Sequence, residues 1–340
     1  MGGRRQQATT RGQLPSPDPK TDDLFLFCFF TLALPRAASY LSGNVPAPSG
    51  FRHSERACMP IAILEERAVV RLAGDDAAHF LDNLLTTRAP GPGAARYAAL
   101  LTPQGKIIAD MLVLAADDGF RLDTPRAVVA DLVKRLHLYR LRARIEIGLV
   151  DDITVAVVWG GAVPPAGARV YDDPRLPALG RRFLLSPTEA ARIATVPQED
   201  WHAHRIALGV PEGGRDFLYG DAFPHEADMD QLGGIDFDKG CYVGQEIVSR
   251  MQHRGTARSR IIPLALCGEP PAEGTPITAG GKSIGRIGSG VNGRALGLVR
   301  LDRLEEARAA GQVVEAQGTA LVAERPDWVG FAVPGTKGAA

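Results

Sequence analysis

The segment KGCYVGQE at residues 239–246 places a cysteine between two glycines that are four positions apart. Cys241 follows Lys239 and Gly240 and precedes Gly244. The thiolate is the reactive form of cysteine, and a nearby cation or a helix N-terminus favours it. Free N–H groups at the start of a helix also bind carboxylates. The segment therefore suits thiol chemistry by Cys241, or a ligand held by Lys239, Gly240 and Gly244.

The residues after this segment predict the helix that would position the cysteine. One apolar helix face is predicted to consist of Val243, Ile247, Val248 and Met251, with the helix running to about His253. Residues 240–244 then join a loop to the helix, with Cys241 near its N-terminus. A second interpretation needs no chemistry, because a small apolar cysteine also lets a helix start pack closely against a neighbour. Spacing alone leaves both interpretations open.

The cysteine content and the charge balance exclude several classes of protein. The chain has four cysteines, none in a C-x-x-C pair: Cys28, Cys58, Cys241 and Cys267. This pattern is neither a disulfide framework nor a zinc ribbon, and it cannot supply the roughly four protein ligands of an iron–sulfur cluster. It predicts a reducing, cytoplasmic setting and no metal site. Lys+Arg and Asp+Glu both number 39, so no charge excess indicates a nucleic-acid or membrane partner.

Two further motifs are predicted to carry no chemistry. GSGVNG at 288–293 matches the glycine spacing of a dinucleotide-binding turn. The alternating segment RALGLVRL follows it instead of a helix, and Asn292-Gly293 favours a hairpin. His202 and His204 are two positions apart on a predicted helix, where metal-binding pairs need three or four.

The first part of the chain after residue 58 predicts an α+β fold. VVRLAG predicts a strand, and GDDAAHFLDNLL predicts a helix whose apolar face comprises Ala77, Phe80, Leu81, Leu84 and Leu85. Residues 95–124 predict three strands, with a type I turn at Pro103 and Gly105. AVVADLVKRLHLYRLRA predicts a second helix, and IEIGLVDDITVAVVWG predicts more strands. This order favours antiparallel sheets over a doubly wound parallel sheet.

The second part predicts a loop, a helix, an irregular segment and a barrel. Residues 160–182 are rich in Pro, Gly and Ala and predict a loop, whereas 199–209 predict a helix that ends at Gly209. Residues 210–245 contain many Gly, Pro and Asp residues, and a long irregular segment usually lines a functional site. From Arg258 onward, short strands at regular spacing predict a small β-barrel.

The first 58 residues differ from the rest. A polar, Pro/Gly-rich stretch precedes LFLFCFFTLAL at 24–34, which is too short for a bilayer span of about 20 residues. Asp22 and Asp23 stand where a signal peptide carries positive charge. The segment is interpreted as disordered or as an over-extended reading frame with Met59 as the start, and a targeting segment is the alternative.

These segments together resemble the YgfZ family, which belongs to the folate-binding superfamily of the glycine cleavage T-protein. KGCYVGQE resembles the family signature, and AAHFLDNLLT, LLTPQGKIIADM, RIALGVPEGGRDF and FPHE follow in family order over about residues 62–325. The resemblance implies a T-protein-like three-lobed ring of two α+β (ferredoxin-like) lobes and a C-terminal β-barrel around a folate-sized channel. The implied boundaries are 59–257 for the two lobes, 258–330 for the barrel and 331–340 for a tail.

The resemblance also implies site residues. Asp110 matches the T-protein's catalytic aspartate, which would contact the reactive nitrogens of tetrahydrofolate, and Tyr97 matches a tyrosine that lines the folate pocket. Glu226, in FPHE, matches a glutamate common to the superfamily. Ala207 and Leu114 replace a pterin-reading glutamate and a pocket tyrosine, which puts aminomethyl transfer in doubt. Asp110 otherwise reads as an acid at a strand end that is solvated or paired with Lys106.

The family implies a tetrahydrofolate-binding protein that supports assembly or repair of iron–sulfur proteins. Its expected partners are a folate and iron–sulfur client or assembly proteins, with Cys241 available for thiol chemistry. One alternative is a folate-dependent one-carbon transferase or demethylase that depends on Asp110. Another is a non-catalytic scaffold with a vestigial folate pocket.

Overall fold

The computed structural model describes residues 60–161, 164, 168–255 and 257–336. The predictions for residues 1–58 lie outside this part of the chain. The fold is α+β, as the sequence predicts, with two antiparallel sheets, helices and a closed six-stranded barrel. Within the described ranges, no helix has both the length and the apolar composition that a membrane span requires.

A five-stranded sheet holds the Asp110 region. Its strands, in spatial order, are β3 (Ala95–Leu101), β4 (Ile107–Ala116), β5 (Gly119–Pro125), β2 (Arg67–Ala73) and β6 (Glu146–Val150). Side chains on β4 alternate between two buried faces. Met111 and Val113 pack against helices α1 (Ala77–Leu84) and α2 (Arg126–Arg140), whereas Leu112 and Leu114 join the central core. Asp110 therefore points to the central side of the sheet, with Tyr97 of β3.

A four-stranded sheet contains a correction to the sequence analysis. Its order is β1 (Ile61–Ile63), β7 (Thr154–Val158), β9 (Arg181–Leu185) and β8 (Arg169–Asp172). The prediction of a loop over 160–182 is wrong, because β8 and the start of β9 lie within it. Tyr171 is buried and donates a hydrogen bond to Asp123 of the other sheet, 3.0 Å away. A tertiary contact therefore stabilises a strand whose local composition predicts a loop.

Three more helices follow along the chain. They are α3 (Pro187–Ile193), α4 (Gln198–Ala207) and α5 (Gln245–Arg254). Ser186 and Glu189 form a capping box at the start of α3, which the sequence analysis did not predict. Between α4 and α5, no helix or strand longer than an isolated bridge forms, as predicted.

The barrel follows the predicted strand pattern with two added strands. The strands are β10 (Ser259–Leu266), β13 (Arg294–Arg300), β12 (Lys282–Val291), β11 (Pro276–Ala279), β14 (Val314–Ala316) and β15 (Thr319–Ala323), and β10 also pairs with β15. Helix α6 (Leu301–Ala309) follows β13. Asn292 and Gly293 both have positive φ and connect β12 to β13, so the glycine-rich motif is the predicted hairpin.

One core joins both sheets, α4, the irregular segment and the barrel. Its buried members include Leu112, Val157, Trp201, Met229 and Leu296, one from each. Residues 208–244 are therefore not a surface loop, since many of their side chains lie in this core.

Candidate functional site

Asp110 and Tyr97 lie together at the centre of this core. The Tyr97 hydroxyl donates a hydrogen bond to Asp110 Oδ2 at 3.1 Å. Asp110 is only 4% exposed and Tyr97 only 2% exposed. The strand register explains the pairing, because Asp110 lies opposite Ala99 and Tyr97 lies one side-chain step along the same face. The alternative pairing with Lys106 does not form, because Lys106 donates to the carbonyl oxygen of Asp221.

Tyr219 is a third member of this cluster that the sequence analysis missed. Its hydroxyl donates a hydrogen bond to Asp110 Oδ1, so each carboxylate oxygen accepts one phenol. Burial and the Asp110 carboxylate raise the pKa of Tyr97 and of Tyr219 well above the ordinary value. Both phenols are therefore protonated donors at neutral pH. The signal available in sequence was an aromatic residue in a glycine-rich irregular segment.

Two glycines make room for the tyrosines. A Cβ added at Gly234 would lie 2.8 Å from Tyr97 Cδ1, and one added at Gly213 would overlap the Tyr219 hydroxyl. Neither glycine has a positive φ, so space rather than backbone conformation requires them. At these two positions the irregular segment has no side chain, so its backbone can lie close to the two tyrosines.

A cavity of about 420 Å³ has Gly213 in its lining. Its lining is rich in charge: Glu66, Arg67, Pro125, Arg126, Ala127, Glu212, Gly213, Gly214 and Arg215. The volume is in the range of small-molecule sites. Gly213 thus lines this cavity and also packs against the Tyr219 hydroxyl.

A buried ion-pair network supports the cluster from the sheet side. Asp123 receives Arg67 Nε at 2.6 Å and Arg182 Nη1 at 2.9 Å. Asp173 in turn pairs with Arg182 and Arg175. The Arg175 guanidinium lies 5.6 Å from the centroid of the Tyr97 ring, within range of a cation–π interaction.

Glu66, His202 and Glu212 form a second charged cluster beside the cavity. Potential ligand atoms of the three residues lie within 4.8 Å of one another. Arg215 binds Glu66 at 2.9 Å, and Arg205 lies 3.1 Å from Glu212 while donating to His202 Nδ1. These guanidinium groups already compensate the carboxylates, so the contacts describe an ion-pair network. The absence of a metal site stays a prediction.

Cys241 lies on the surface, before the helix that was predicted to activate it. Its side chain is exposed, and α5 begins only at Gln245, with Gly244 as N-cap at φ 82°. The dipole of a helix acts mainly within its first turn. Cys241 is four residues before that turn, so the helix dipole gives little support for a reactive thiol. Its exposure to solvent gives better support.

Lys239 does not point outward with the thiol. It is buried, and its Nζ donates to the carbonyl oxygens of Leu85 at 2.6 Å and Thr87 at 3.1 Å. Burial lowers the pKa of Lys239 below its ordinary value. The lysine therefore anchors the Cys241 segment to the end of α1.

The two glycines of the motif differ in their surroundings. A Cβ at Gly244 would lie 2.5 Å from the Thr102 carbonyl oxygen, whereas one at Gly240 meets nothing within 4 Å. The close-packing interpretation thus applies at Gly244, where the helix start contacts the turn between β3 and β4.

The other carried-over residues have different surroundings. Glu226 accepts a hydrogen bond from the backbone N–H of Phe223 at 2.9 Å, so its carboxylate caps a turn. Ala207 is exposed and lines a different cavity, with Leu208, Pro263 and Trp328 among its neighbours. Leu114 is buried in the central core. The structure therefore brings together Tyr97 and Asp110, and adds Tyr219.

Comparisons with known proteins place the chain among its relatives. Residues 258–331 match the family described as "CAF17, C-terminal beta-barrel domain". The chain is 32% identical over 305 residues to "Iron-sulfur cluster assembly factor IBA57, mitochondrial" of Homo sapiens, covering 78% of this chain and 84% of that protein. The chain belongs to the IBA57 (YgfZ) family.

Other relatives agree with this family. The IBA57 homologue of Chaetomium globosum is 30% identical, over 85% of this chain and 81% of that protein. The Neurospora crassa homologue is 34% identical, over 64% of this chain but only 56% of its own length. Among solved structures, the aminomethyltransferase T of the glycine cleavage system from Bartonella henselae matches with a TM-score of 0.66 and 16% identity, over 80% of this chain and 88% of that one. The IBA57-family chain thus shares the T-protein fold.

These relatives correct one prediction. The sequence analysis expected a cytoplasmic protein, but the curated IBA57 relatives are named as mitochondrial. The expectation rested on the cysteine pattern. That pattern indicates a reducing compartment but does not say which one. The cytoplasmic assignment is therefore wrong.

Proposed function

We propose that this protein binds tetrahydrofolate next to Asp110 and supports the assembly or repair of iron–sulfur proteins. The observation that carries the folate part is a buried carboxylate held by two phenols in a T-protein-like fold. Membership of the IBA57 family, whose relatives are named as iron–sulfur cluster assembly factors, supports the second part.

The types of residue around Asp110 would suit a folate once the cluster opens. Asp110 offers an acceptor for ring nitrogens, Tyr97 and Tyr219 offer aromatic surface, and a cavity of about 420 Å³ adjoins Gly213. When bound, tetrahydrofolate would supply the nitrogens that carry one-carbon groups. Asp110 would orient those nitrogens and hold or accept a proton at its carboxylate, and the surrounding core would exclude water.

The exposed thiol of Cys241 supports the role in iron–sulfur protein assembly. Thiolates bind iron and attack disulfides, releasing the second sulfur as a thiolate, and both reactions need access from solvent. Cys241 would contact an iron–sulfur client or assembly protein. Because Lys239 and Gly244 anchor the segment on either side, the thiol is presented at a fixed position.

Tetrahydrofolate titration tests the folate proposal. Anaerobic calorimetry with the full chain is expected to show saturable binding in the micromolar range. Asp110→Asn removes the charged acceptor and is expected to weaken binding by roughly tenfold or more, since a hydrogen bond to a charged group contributes about 1.5–3 kcal/mol. The proposal would be overturned if tetrahydrofolate bound neither the wild-type chain nor the Tyr219→Phe variant, which lacks one phenol hydrogen bond to Asp110.

A complementation assay tests the thiol proposal. Cys241→Ala is expected to lose the ability to restore iron–sulfur enzyme activity in cells that lack their own family member. Cys267→Ala is the matched control, because Cys267 is also exposed. Full restoration by the Cys241 variant would exclude a required thiol.

The closed Asp110 cluster also favours a second candidate, a scaffold whose folate pocket is vestigial. In that case an Asp110→Ala, Tyr97→Ala double variant retains complementation. A one-carbon transferase instead requires turnover to a methylenetetrahydrofolate from an aminomethyl or N-methyl donor, and loses it in Asp110→Asn.

A further inference from the structure

Asp110 is closed to ligands in this structure. Its two oxygens each accept one phenol hydrogen bond, its backbone carbonyl accepts Thr124 Oγ1 at 3.0 Å, and only 4% of the residue is exposed. Each carboxylate oxygen could accept a second hydrogen bond, but the residue is so deeply buried that a ligand atom reaches it only if one of its present donors moves. The question is which tyrosine leaves.

Tyr97 is fixed in place. It lies within β3 in register with Leu112 of β4, and its ring packs against Gly234 and Met229. Arg175 lies over the ring, held by two hydrogen bonds to Asp173. Moving Tyr97 would disrupt the sheet and the central core.

Tyr219 packs against the same core but lies outside both sheets. It is half-buried, and it lies in the irregular segment between Gly214 and Gly220, which both have positive φ. Its ring contacts Phe217 edge-on, with 5.6 Å between centroids. Gly213, which packs closely against its hydroxyl, also lines the 420 Å³ cavity. Displacement of Tyr219 would therefore uncover Asp110 Oδ1 without moving a strand.

We infer that Tyr219 is a gate residue whose phenol closes the Asp110 site and is displaced by a ligand that brings an N–H donor of its own. This inference rests on the proposed folate function and adds a ligand requirement to it. A buried acceptor left without a donor costs about 1–3 kcal/mol, and more when it is charged. A ligand without a donor at this position would leave Oδ1 unpaired.

The requirement separates folate forms. Tetrahydrofolate carries hydrogens on both N5 and N10, whereas 5,10-methenyltetrahydrofolate carries none on either nitrogen. The gate therefore predicts that the wild-type chain binds tetrahydrofolate more tightly than the methenyl form, on the order of tenfold.

Two matched variants test the gate. Tyr219→Phe keeps the ring but removes the hydrogen bond that a ligand has to break, so tetrahydrofolate is expected to bind on the order of tenfold more tightly than to wild type. Tyr97→Phe also removes one phenol from Asp110, but this phenol is not displaced, so no gain in affinity is expected. Calorimetry of both variants measures the difference.

A spectroscopic readout reports the motion directly. The chain has six tyrosines, and 3-fluorotyrosine labelling gives a fluorine spectrum in which the Tyr219 line is missing from Tyr219→Phe. Tetrahydrofolate is expected to shift that line and to leave the Tyr97 line in a buried environment.

The outcomes separate the gate from the folate proposal. Binding with a shifted Tyr219 line and a tighter Tyr219→Phe variant supports the gate, as does binding by Tyr219→Phe alone. Binding with an unmoved Tyr219 line and an unchanged Tyr219→Phe affinity overturns the gate and leaves the folate proposal standing. No binding to any of the three chains overturns both.

Discussion

At the scale of single residues, Asp228 shows how strongly burial decides the state of an acid. Its side chain is fully buried, Oδ1 lies 3.3 Å from Arg260 Nη1, and Oδ2 has no hydrogen-bond partner in the described chain. Arg260 instead pairs with both oxygens of Asp230, at 2.6 and 2.9 Å. Burial raises the pKa of the Asp228 carboxyl well above its ordinary value. Burial therefore favours the protonated, neutral form of this acid.

Asp228→Asn is expected to stabilise the protein at neutral pH. The folded state holds a proton that the unfolded state releases above its ordinary pKa near 4, so the stability contributed by Asp228 falls as pH rises from there through the raised folded pKa. Asparagine has no proton to release, and it tolerates the φ of 55° at this position. Chemical denaturation at pH 4.5 and 7.5 should therefore show a gain that grows with pH. A constant difference would contradict the titration argument, and Asp230→Asn, which breaks the Arg260 pair, should destabilise.

The sequence predicted some residues of the Asp110 cluster and missed others. Asp110 and Tyr97 were predicted from the family resemblance, and they are 13 residues apart on adjacent strands. Tyr219 reaches the same carboxylate from 109 residues away, through a segment without regular periodicity. Only the folded chain brings such partners together, so local spacing carried no signal for Tyr219 or for the Glu66–His202 contact.

At the scale of secondary-structure elements, the junction between the Cys241 segment and α5 depends on one glycine. Gly244 combines a φ of 82° with close approach to Thr102 and to Gly105 Cα, 3.1 Å from an added Cβ. The turn it contacts links β3 to β4, and β4 carries Asp110. The segment that carries the thiol is thereby packed directly against the hairpin that carries the carboxylate.

Gly244→Ala is expected to cost about 2–4 kcal/mol of unfolding free energy, because it adds left-handed backbone strain to a clash with backbone atoms. Gly240→Ala is the matched control in the same motif, with open space and an ordinary φ, and is expected to change stability by less than about 0.5 kcal/mol. Equal effects in thermal or denaturant unfolding would show that the packing at Gly244 is not the cause.

Elements with strong local patterns were predicted well, and those fixed by tertiary contacts were not. The face of α1, the three strands after it, and the β12–β13 hairpin follow from apolar periodicity and turn residues. Strand β8 was missed because its four residues alternate little and depend on the Tyr171–Asp123 bond. Short strands β11 and β14 have too few residues for a period to be visible.

At the scale of the whole molecule, buried charges join the pieces. Asp123 of the five-stranded sheet binds Arg182 of the four-stranded sheet, with both side chains almost fully buried. Arg205 of α4 binds Asp216 at 2.7 Å, and Asp216 accepts the N–H and hydroxyl of Ser289 in the barrel. The two sheets, the irregular segment and the barrel are therefore connected by hydrogen-bonded ion pairs as well as by the shared core.

Asp123→Asn is expected to destabilise the protein by about 3–5 kcal/mol, because the buried Arg67 loses its carboxylate and the buried Arg182 keeps only Asp173. The unfolding transition should remain single, since both sheets share one core. Asp117→Asn is the control, because the Asp117–Arg169 pair is exposed and is expected to contribute less than about 1 kcal/mol. A small effect at Asp123, measured by denaturant unfolding, would mean that the network relaxes around the lost charge.

The anchoring of the Cys241 segment also limits the reach of its thiol. Lys239 is tied to the carbonyl oxygens of Leu85 and Thr87, and Gly244 is wedged against Thr102, so only four residues separate the two attachment points. A tether this short permits little travel. On the proposed function, a partner protein would therefore have to bring its own thiol or metal cluster to Cys241, and the shape of the surrounding surface would determine which proteins can reach it.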